Sequence, residues 1–427
     1  MITSVSRREP LPMTPSNVDV QQPQSAQQLL LLVSRRSLTN DERGQVLAAI
    51  ERGIPWPLFY ELARAHGLAP LVFHNLRALN VAANAPAAVW RQFEASYYST
   101  LGDNLLLESE LFQAADQLRR REVDFLLLKG IVLGAMLYPD PALRPSADLD
   151  IMVPLAQVAA AQQALQDLGY SLQPGRQLDF QLARSYDIPY VRQSASGQGV
   201  LLELHWSLAE PELFNLDIDN LWARAQPFAY NGHALRSLSP EDILFHLTIH
   251  IRKHRYVGLR WLVDVNEMLR SFGAGLDWAY LLNLAQQTGA CTLLYMTLQL
   301  THDVMAAPVP QHVLDTLRPS RVRRFLLKPF VDAQNLTRII QEDSAEWSWL
   351  GLGQVLLLDR FRAMSHDLRH RFAPPINIFP GQTRRDHHGL LYATWFYVSR
   401  LGMILGRMGR AGSRRLWVGL RRRWNRA

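Results

Sequence analysis

Cysteine, lysine and long apolar runs are all scarce in this 427-residue chain, and each scarcity removes a class of function. A single cysteine, Cys291, can close no internal disulfide and build no multi-thiolate metal site, which suits a reducing compartment and a cytoplasmic location. Residues 1–28 are polar and rich in Pro, Gln and Ser, with no apolar run after their arginines. They read as a disordered leader and not as a secretory signal. Leu390 to Gly406 is apolar but holds only seventeen residues and is interrupted by Arg400, short of the roughly twenty that a membrane span needs. The Walker phosphate loop, the hydrolase nucleophile elbow and the dinucleotide glycine fingerprint are missing.

Acid is missing from one place in particular. Between Val398 and Ala427 there are nine arginines and no carboxylate side chain; Asp386 is the last. The whole chain carries 45 basic against 38 acidic side chains, but without those thirty residues the figures are 36 and 38. The body is therefore near neutral, which argues against a protein that coats nucleic acid. Drawn as a helix, the tail sets Arg400, Arg407, Arg410, Arg414 and Arg421 on one side. Leu401, Leu405, Leu416, Leu420 and Trp424 fall towards the other. We expect Leu390 to Gly406 to pack on the body, and the segment beyond it to meet anionic lipid or another polyanion.

A hydrophobic fraction of 48% is ample for buried cores, and the length suggests two to three folded units. Helical spacing of apolar residues predicts a helical region over 29–120. The pattern then shortens. Phe125-Leu126-Leu127-Leu128 reads as a buried strand, Lys129-Gly130 ends it, and helical character resumes from Ile131 to Tyr138. Asp148 to Val153 alternates like a second strand, Leu155 to Leu168 reads as a helix closed by Gly169, and Asp187–Arg192 with Val200–Trp206 reads as a hairpin. These elements make a core over 121–236. Ser239-Pro240-Glu241-Asp242 then opens a second helical region over 237–369, followed by a linker and the basic amphipathic tail over 370–427. The class is α+β.

The chemistry concentrates between Leu126 and Trp206. In a strand, residues two apart share a face, so Asp148 and Asp150 are expected together, and likewise Glu203 and His205. Adjacent like charges repel unless something positive lies between them, and hard oxygen ligands suit Mg²⁺ carrying a triphosphate. Gly130, at the start of a helix, offers free N–H groups to phosphate, with Lys129 and Arg144 as mobile positive charge beside it. His246, His250 and His254 recur every four residues on one helix face. A zinc protease would need glutamate where Leu247 stands, so we expect packing, or a cleft lining shared with Lys253. Asp264 lies one helical turn beyond Arg260, which suggests that the two pair.

Leu128-Lys129-Gly130, Tyr138-Pro139, Arg144, Asp148-Leu149-Asp150 and Glu203-Leu204-His205-Trp206 together resemble the uncharacterised bacterial nucleotidyltransferase family related to the DNA polymerase β superfamily. Pro240-Glu241-Asp242, His246, His250, Lys253-His254 and Arg260 to Asp264 are similar to that family's C-terminal helical pattern. The likeness covers about 61–270. Where the wider superfamily has Gly-Gly or Gly-Ser at the turn, this chain has Gly130-Ile131.

The resemblance implies a small mixed sheet flanked by helices, a nucleoside triphosphate donor, and Mg²⁺ or Mn²⁺. It implies Asp148, Asp150 and Glu203 as the metal-binding and catalytic acids, with Lys129, Gly130, Arg144, His205 and Lys253 on the nucleotide side. An acceptor hydroxyl would attack the α-phosphorus as pyrophosphate leaves. Sugar, lipid-linked, peptide and RNA acceptors all remain open. So do a catalytically silent nucleotide-binding scaffold docked on membrane by its tail, and nucleotide addition to RNA.

Overall fold

Apolar stripes at helical spacing build the first third of the chain. The computed structural model describes residues 22–176, 178–194, 197–332, 336–337 and 350–372, so the basic segment 398–427 and the linker from 373 onward lie outside the described residues. Helix α1 (Gln22–Val33) starts ahead of the expected end of the leader at Gln28. Its Ala26, Leu29, Leu30 and Val33 are fully buried at i, i+3, i+4 and i+7, so burial carries the helix into a stretch whose polar composition hides it. α2 (Asn40–Glu51), α3 (Trp56–Ala65) and α4 (Ala69–Ala78) follow, then α5 (Ala87–Arg120). With 34 residues, α5 is roughly 50 Å long and serves two cores. Phe93 and Tyr97 pack with the other N-terminal helices. Leu107, Leu111, Ala114 and Leu118 back the sheet.

The next segment runs β1 (Leu126–Leu127), α6 (Ile131–Leu137), β2 (Leu149–Met152), α7 (Val158–Asp167), β3 (Ser171–Leu172), α8 (Leu178–Arg184), β4 (Asp187–Gln193) and β5 (Gly199–His205). After α9 (Ile218–Arg224), β6 (Gln226–Tyr230) and β7 (His233–Ser237) complete a seven-stranded sheet of order β3-β4-β5-β2-β1-β7-β6. β2 runs parallel to β5 and β1 parallel to β7; the other neighbours are antiparallel. The sheet is therefore mixed, and the molecule is α+β.

Strand alternation divides the sheet's side chains between two cores. Leu127, Leu149, Ile151, Leu202 and Leu204 join the cluster that includes α5 and α7. Leu126, Leu128 and Met152 join the larger cluster shared by the N-terminal and C-terminal helices. Asp150 and His205 alternate with the first set, so they face the C-terminal helices. Those are α10 (Pro240–Lys253), α11 (Leu259–Phe272), α12 (Trp278–Thr288), α13 (Cys291–Met305), α14 (Gln311–Leu317), α15 (Arg321–Leu327) and α16 (Phe361–Phe372). Ser239 Oγ accepts from Asp242 N (3.3 Å) and Pro240 stands at the first helical position, fixing where α10 begins. Among the described residues, no helix is long and apolar enough to cross a membrane.

Candidate active site

Two short strand pairings and a glycine turn assemble the site. β1 is antiparallel to β2, and Leu128 N donates to Asp150 O (3.2 Å), which carries Lys129 alongside Asp150. Gly130 turns the chain at φ 68°, a conformation that side chains rarely adopt, so the turn favours glycine. The parallel register of β2 and β5 sets Asp150 opposite Glu203 and Met152 opposite His205.

The result is a tight cluster. Lys129 Nζ donates to Asp150 Oδ1 at 2.5 Å and stands 4.0 Å from Glu203 Oε2. His205 Nε2 lies 3.1 Å from Asp150 Oδ1 and 3.5 Å from Glu203 Oε2. Asp150 Oδ2 is buried and has no hydrogen-bond partner among the described residues. Burial works against every charge here, and the neighbours reverse it. Despite burial, Asp150, Asp148 and Glu203 hold the Lys129 ammonium above its ordinary value. Lys129 and His205 overcome burial to keep the Asp150 carboxyl well below the usual range, and His205 with Lys129 lowers Glu203 in the same way. Hydrogen bonds to Asp150 and Glu203 outweigh burial at His205 and raise it to about 9.

Asp150, Glu203 and His205 each offer a ligand atom within 4.8 Å of the others, the spacing of a metal-binding group. Asp148 is not one of the three. It stands one residue ahead of β2, half-buried, and its carboxyl is raised by burial and then by the Asp150 charge. The structure thus joins His205 to the acids and leaves Asp148 at their margin.

Arg144 is not the mobile cation expected. Its Nε and Nη2 donate to the two carboxylate oxygens of Asp264, both at 2.9 Å, and its Nη1 donates to Gly130 O at 2.9 Å. Both side chains are buried, so the guanidinium is committed to a two-pronged pair that ties the Gly130 turn to α11. Asn104 of α5 holds the same loop, donating to Pro141 O and Arg144 O and accepting from Ser146 N. Asp264 therefore pairs with Arg144 and not with Arg260, whose Nη1 donates to Pro145 O (3.2 Å). The helix that Gly130 opens has seven residues, about two turns, so the phosphate seat expected there has little dipole behind it.

His246 and His250 of α10 and His254 at its end are not a metal group among the described residues. The rings of His250 and His254 both pack on Trp261, each 4.5 Å between centroids. Burial, followed by the Lys129 charge, drops His246 to about 3, so it is neutral.

Lys129, His205, His246, His250 and Lys253 line one cavity of about 170 Å³. Lys253 is half-exposed, its Nζ 4.0 Å from Asp187 Oδ2 and 5.6 Å from the Tyr186 ring centre. Tyr186 and Glu210 complete the near wall and were not anticipated. Tyr186 stands just ahead of β4, and only the pairing of β4 with β5 brings its ring to 5.9 Å from that of His205.

Comparison with curated proteins finds no match. Among solved structures, the chain is similar to an antigenic nucleotidyltransferase-like protein from Paracoccidioides brasiliensis. That likeness has 15% identity and a TM-score of 0.32, and covers 50% of this chain and 98% of the other. A family profile matches residues 52–306, which span α3 to α13 and hold every residue of the acidic cluster. On that match the chain belongs to the family described as uncharacterised nucleotidyltransferase.

Proposed function

We propose that the protein is a divalent-metal-dependent nucleotidyltransferase that moves a nucleoside monophosphate from a triphosphate to a hydroxyl acceptor. The observation that carries this is the unfinished state of Asp150. Its Oδ1 is shared by Lys129 and His205, while its buried Oδ2 has no partner among the described residues. A buried acceptor left unsatisfied is costly, and a hard cation would satisfy it. Asp150 and Glu203 supply hard oxygen donors that fit Mg²⁺ or Mn²⁺ with positions left for phosphate, and His205 would add a nitrogen once the ion displaced its proton. Bound there, the ion would neutralise charge on the triphosphate and on the departing pyrophosphate.

The chain's own groups divide the remaining work. The acceptor oxygen bonds to the α-phosphorus while the bond to the pyrophosphate oxygen breaks, and the hydroxyl proton needs a base. Glu203 is held ionised by His205 and Lys129 and is correspondingly weak as a base. Asp148, raised by burial and by Asp150, is better matched to accept that proton. Lys129, kept charged by three carboxylates, faces the cavity beside them and stabilises charge that develops on the phosphates.

Incubation with each α-labelled triphosphate, Mg²⁺ and cell extract tests the reading. Label should appear in one of the sugar, lipid, peptide or RNA fractions with wild type and disappear with Asp150→Asn. No transfer from any triphosphate, with equal nucleotide binding by both proteins, would refute it. The nine arginines of 398–427 are assigned to an anionic membrane surface, and flotation with anionic vesicles before and after their removal checks this separately.

A further inference from the structure

Helix α15 has two unlike sides. On the inner side Leu327 is fully buried in the main core. Beside it, Arg323 is spent on the body: Nε donates to Leu356 O at 2.9 Å, Nη1 to Asp359 Oδ1 at 2.8 Å, and Nη2 to Leu358 O. Asp359 is held in turn, accepting from Thr292 N at 3.0 Å. The helix is thus pinned along one side by a buried leucine and an ion pair.

The outer side is apolar and faces water. Val322, Phe325 and Leu326 recur at i, i+3 and i+4, which sets them on one helix face, and they are 70%, 76% and 47% exposed. Phe361, two residues past Asp359, is 83% exposed. Two residues of chain span at most about 7 Å, so Phe361 is anchored near the point where Arg323 grips Asp359. Single exposed apolar residues are ordinary, whereas adjoining ones mark a contact surface.

Charge tells what kind of contact. From Thr316 to Val331 the chain carries Arg318, Arg321, Arg323, Arg324 and Lys328 and no acid. Arg318 pairs with Asp315 and Arg323 with Asp359. Arg321, Arg324 and Lys328 have no ion pair among the described residues. At i−4 and i+3 from Phe325, the exposed Arg321 and Lys328 flank its ring on the helix surface. An apolar strip edged by cations matches the boundary of an anionic bilayer, where rings enter the acyl edge and cations meet phosphate. A soluble polyanion would use the cations and leave the apolar strip in water.

We propose that α15 is a membrane-contact helix, which lays Val322, Phe325 and Leu326 into an anionic lipid surface with Arg321, Arg324 and Lys328 at the headgroups. The helix lies beyond the family match, which ends at 306, and is distinct in sequence from the arginines of 398–427. A contact of this size is marginal alone and adds to any other.

The test uses the full-length protein and phosphatidylcholine vesicles with or without phosphatidylglycerol. In a Cys291→Ser background, an environment-sensitive fluorophore on Val322→Cys should brighten and shift to the blue with the anionic vesicles only. Phe325→Ser, and Arg321→Ala combined with Lys328→Ala, should each weaken flotation with those vesicles about fivefold or more. Both should melt near wild type. Vesicle binding with no change at the fluorophore would place the contact elsewhere in the chain and overturn the proposal. So would unchanged flotation of Phe325→Ser. An equal response to neutral vesicles would overturn the role of the cations. A fluorophore shielded from acrylamide before any lipid is added would show the face already covered, by a second copy if sedimentation gives a dimer and by this chain if it gives a monomer. Either result overturns the proposal, as would a fluorophore response to RNA with none to lipid.

Discussion

Arg144 and Lys129 each meet an aspartate out of water, and the two pairs end differently. Arg144 presents its fork to both oxygens of Asp264 and donates from Nη1 to Gly130 O and Ser146 Oγ, so the pair is closed. Lys129 occupies one oxygen of Asp150, shares it with His205, and leaves the other oxygen buried with no partner among the described residues. A closed pair resists change and joins elements, here the Gly130 turn to α11. An open one has capacity for a ligand. The difference separates scaffold from site within about twenty residues of chain.

The closed pair should break with the largest effect. Asp264→Ala strands a buried guanidinium and should cost about 3–5 kcal/mol in urea unfolding. Arg144→Met with Asp264→Leu should recover most of that, since the apolar replacement leaves no charge unmatched. A loss below about 1 kcal/mol in the single variant would show that the pair is not sealed.

The open pair should break in function. Asp150→Asn should lower label transfer more than about 100-fold, because it changes a proposed ligand and not merely a group that supports one. Asp148→Asn should also lower transfer, chiefly by removing the alkaline-rising limb of the pH–rate profile, while leaving metal affinity near wild type. Equal loss of metal affinity in both variants would return Asp148 to the ligand set.

A smaller effect follows from His205. Its value of about 9 in the folded protein exceeds the ordinary 6.5, so the native state binds the extra proton. The stabilisation is complete below about pH 6.5 and is lost as pH rises towards 9. Melting temperatures of metal-free protein in EDTA should therefore fall over that window, more for wild type than for His205→Gln. A flat or rising wild-type curve would contradict the pairing. The smallest effect is expected at Lys253, where substitution by alanine should shift unfolding stability by no more than about 0.5 kcal/mol. A larger shift would mean that this half-exposed lysine is part of the scaffold.

Local signals in the chain were good guides to local structure. Alternation around Asp150 and Glu203 marked two strands, and Ser239-Pro240 marked the start of α10, because each depends on residues a few positions apart. Two-residue periodicity also predicted that His205 shares a face with Glu203. It could not give the parallel register of β2 and β5, which makes His205 a partner of Asp150. Nor could it show that β2 begins only at Leu149, leaving Asp148 outside the converging group. The Arg144–Asp264 pair spans 120 residues and Arg252–Asp367 spans 115. Contacts at that range are fixed by how helices pack, and no short motif records them. Arg260 looked the natural partner of Asp264 because helical spacing sees only one turn.

Manganese binding followed by electron paramagnetic resonance tests the central claim most directly, with wild type, Asp150→Asn and the Arg144→Met/Asp264→Leu protein side by side. The open pair predicts that wild type and the double variant bind Mn²⁺ alike and that Asp150→Asn binds at least about tenfold more weakly. Equal Mn²⁺ affinity in Asp150→Asn and wild type would contradict it.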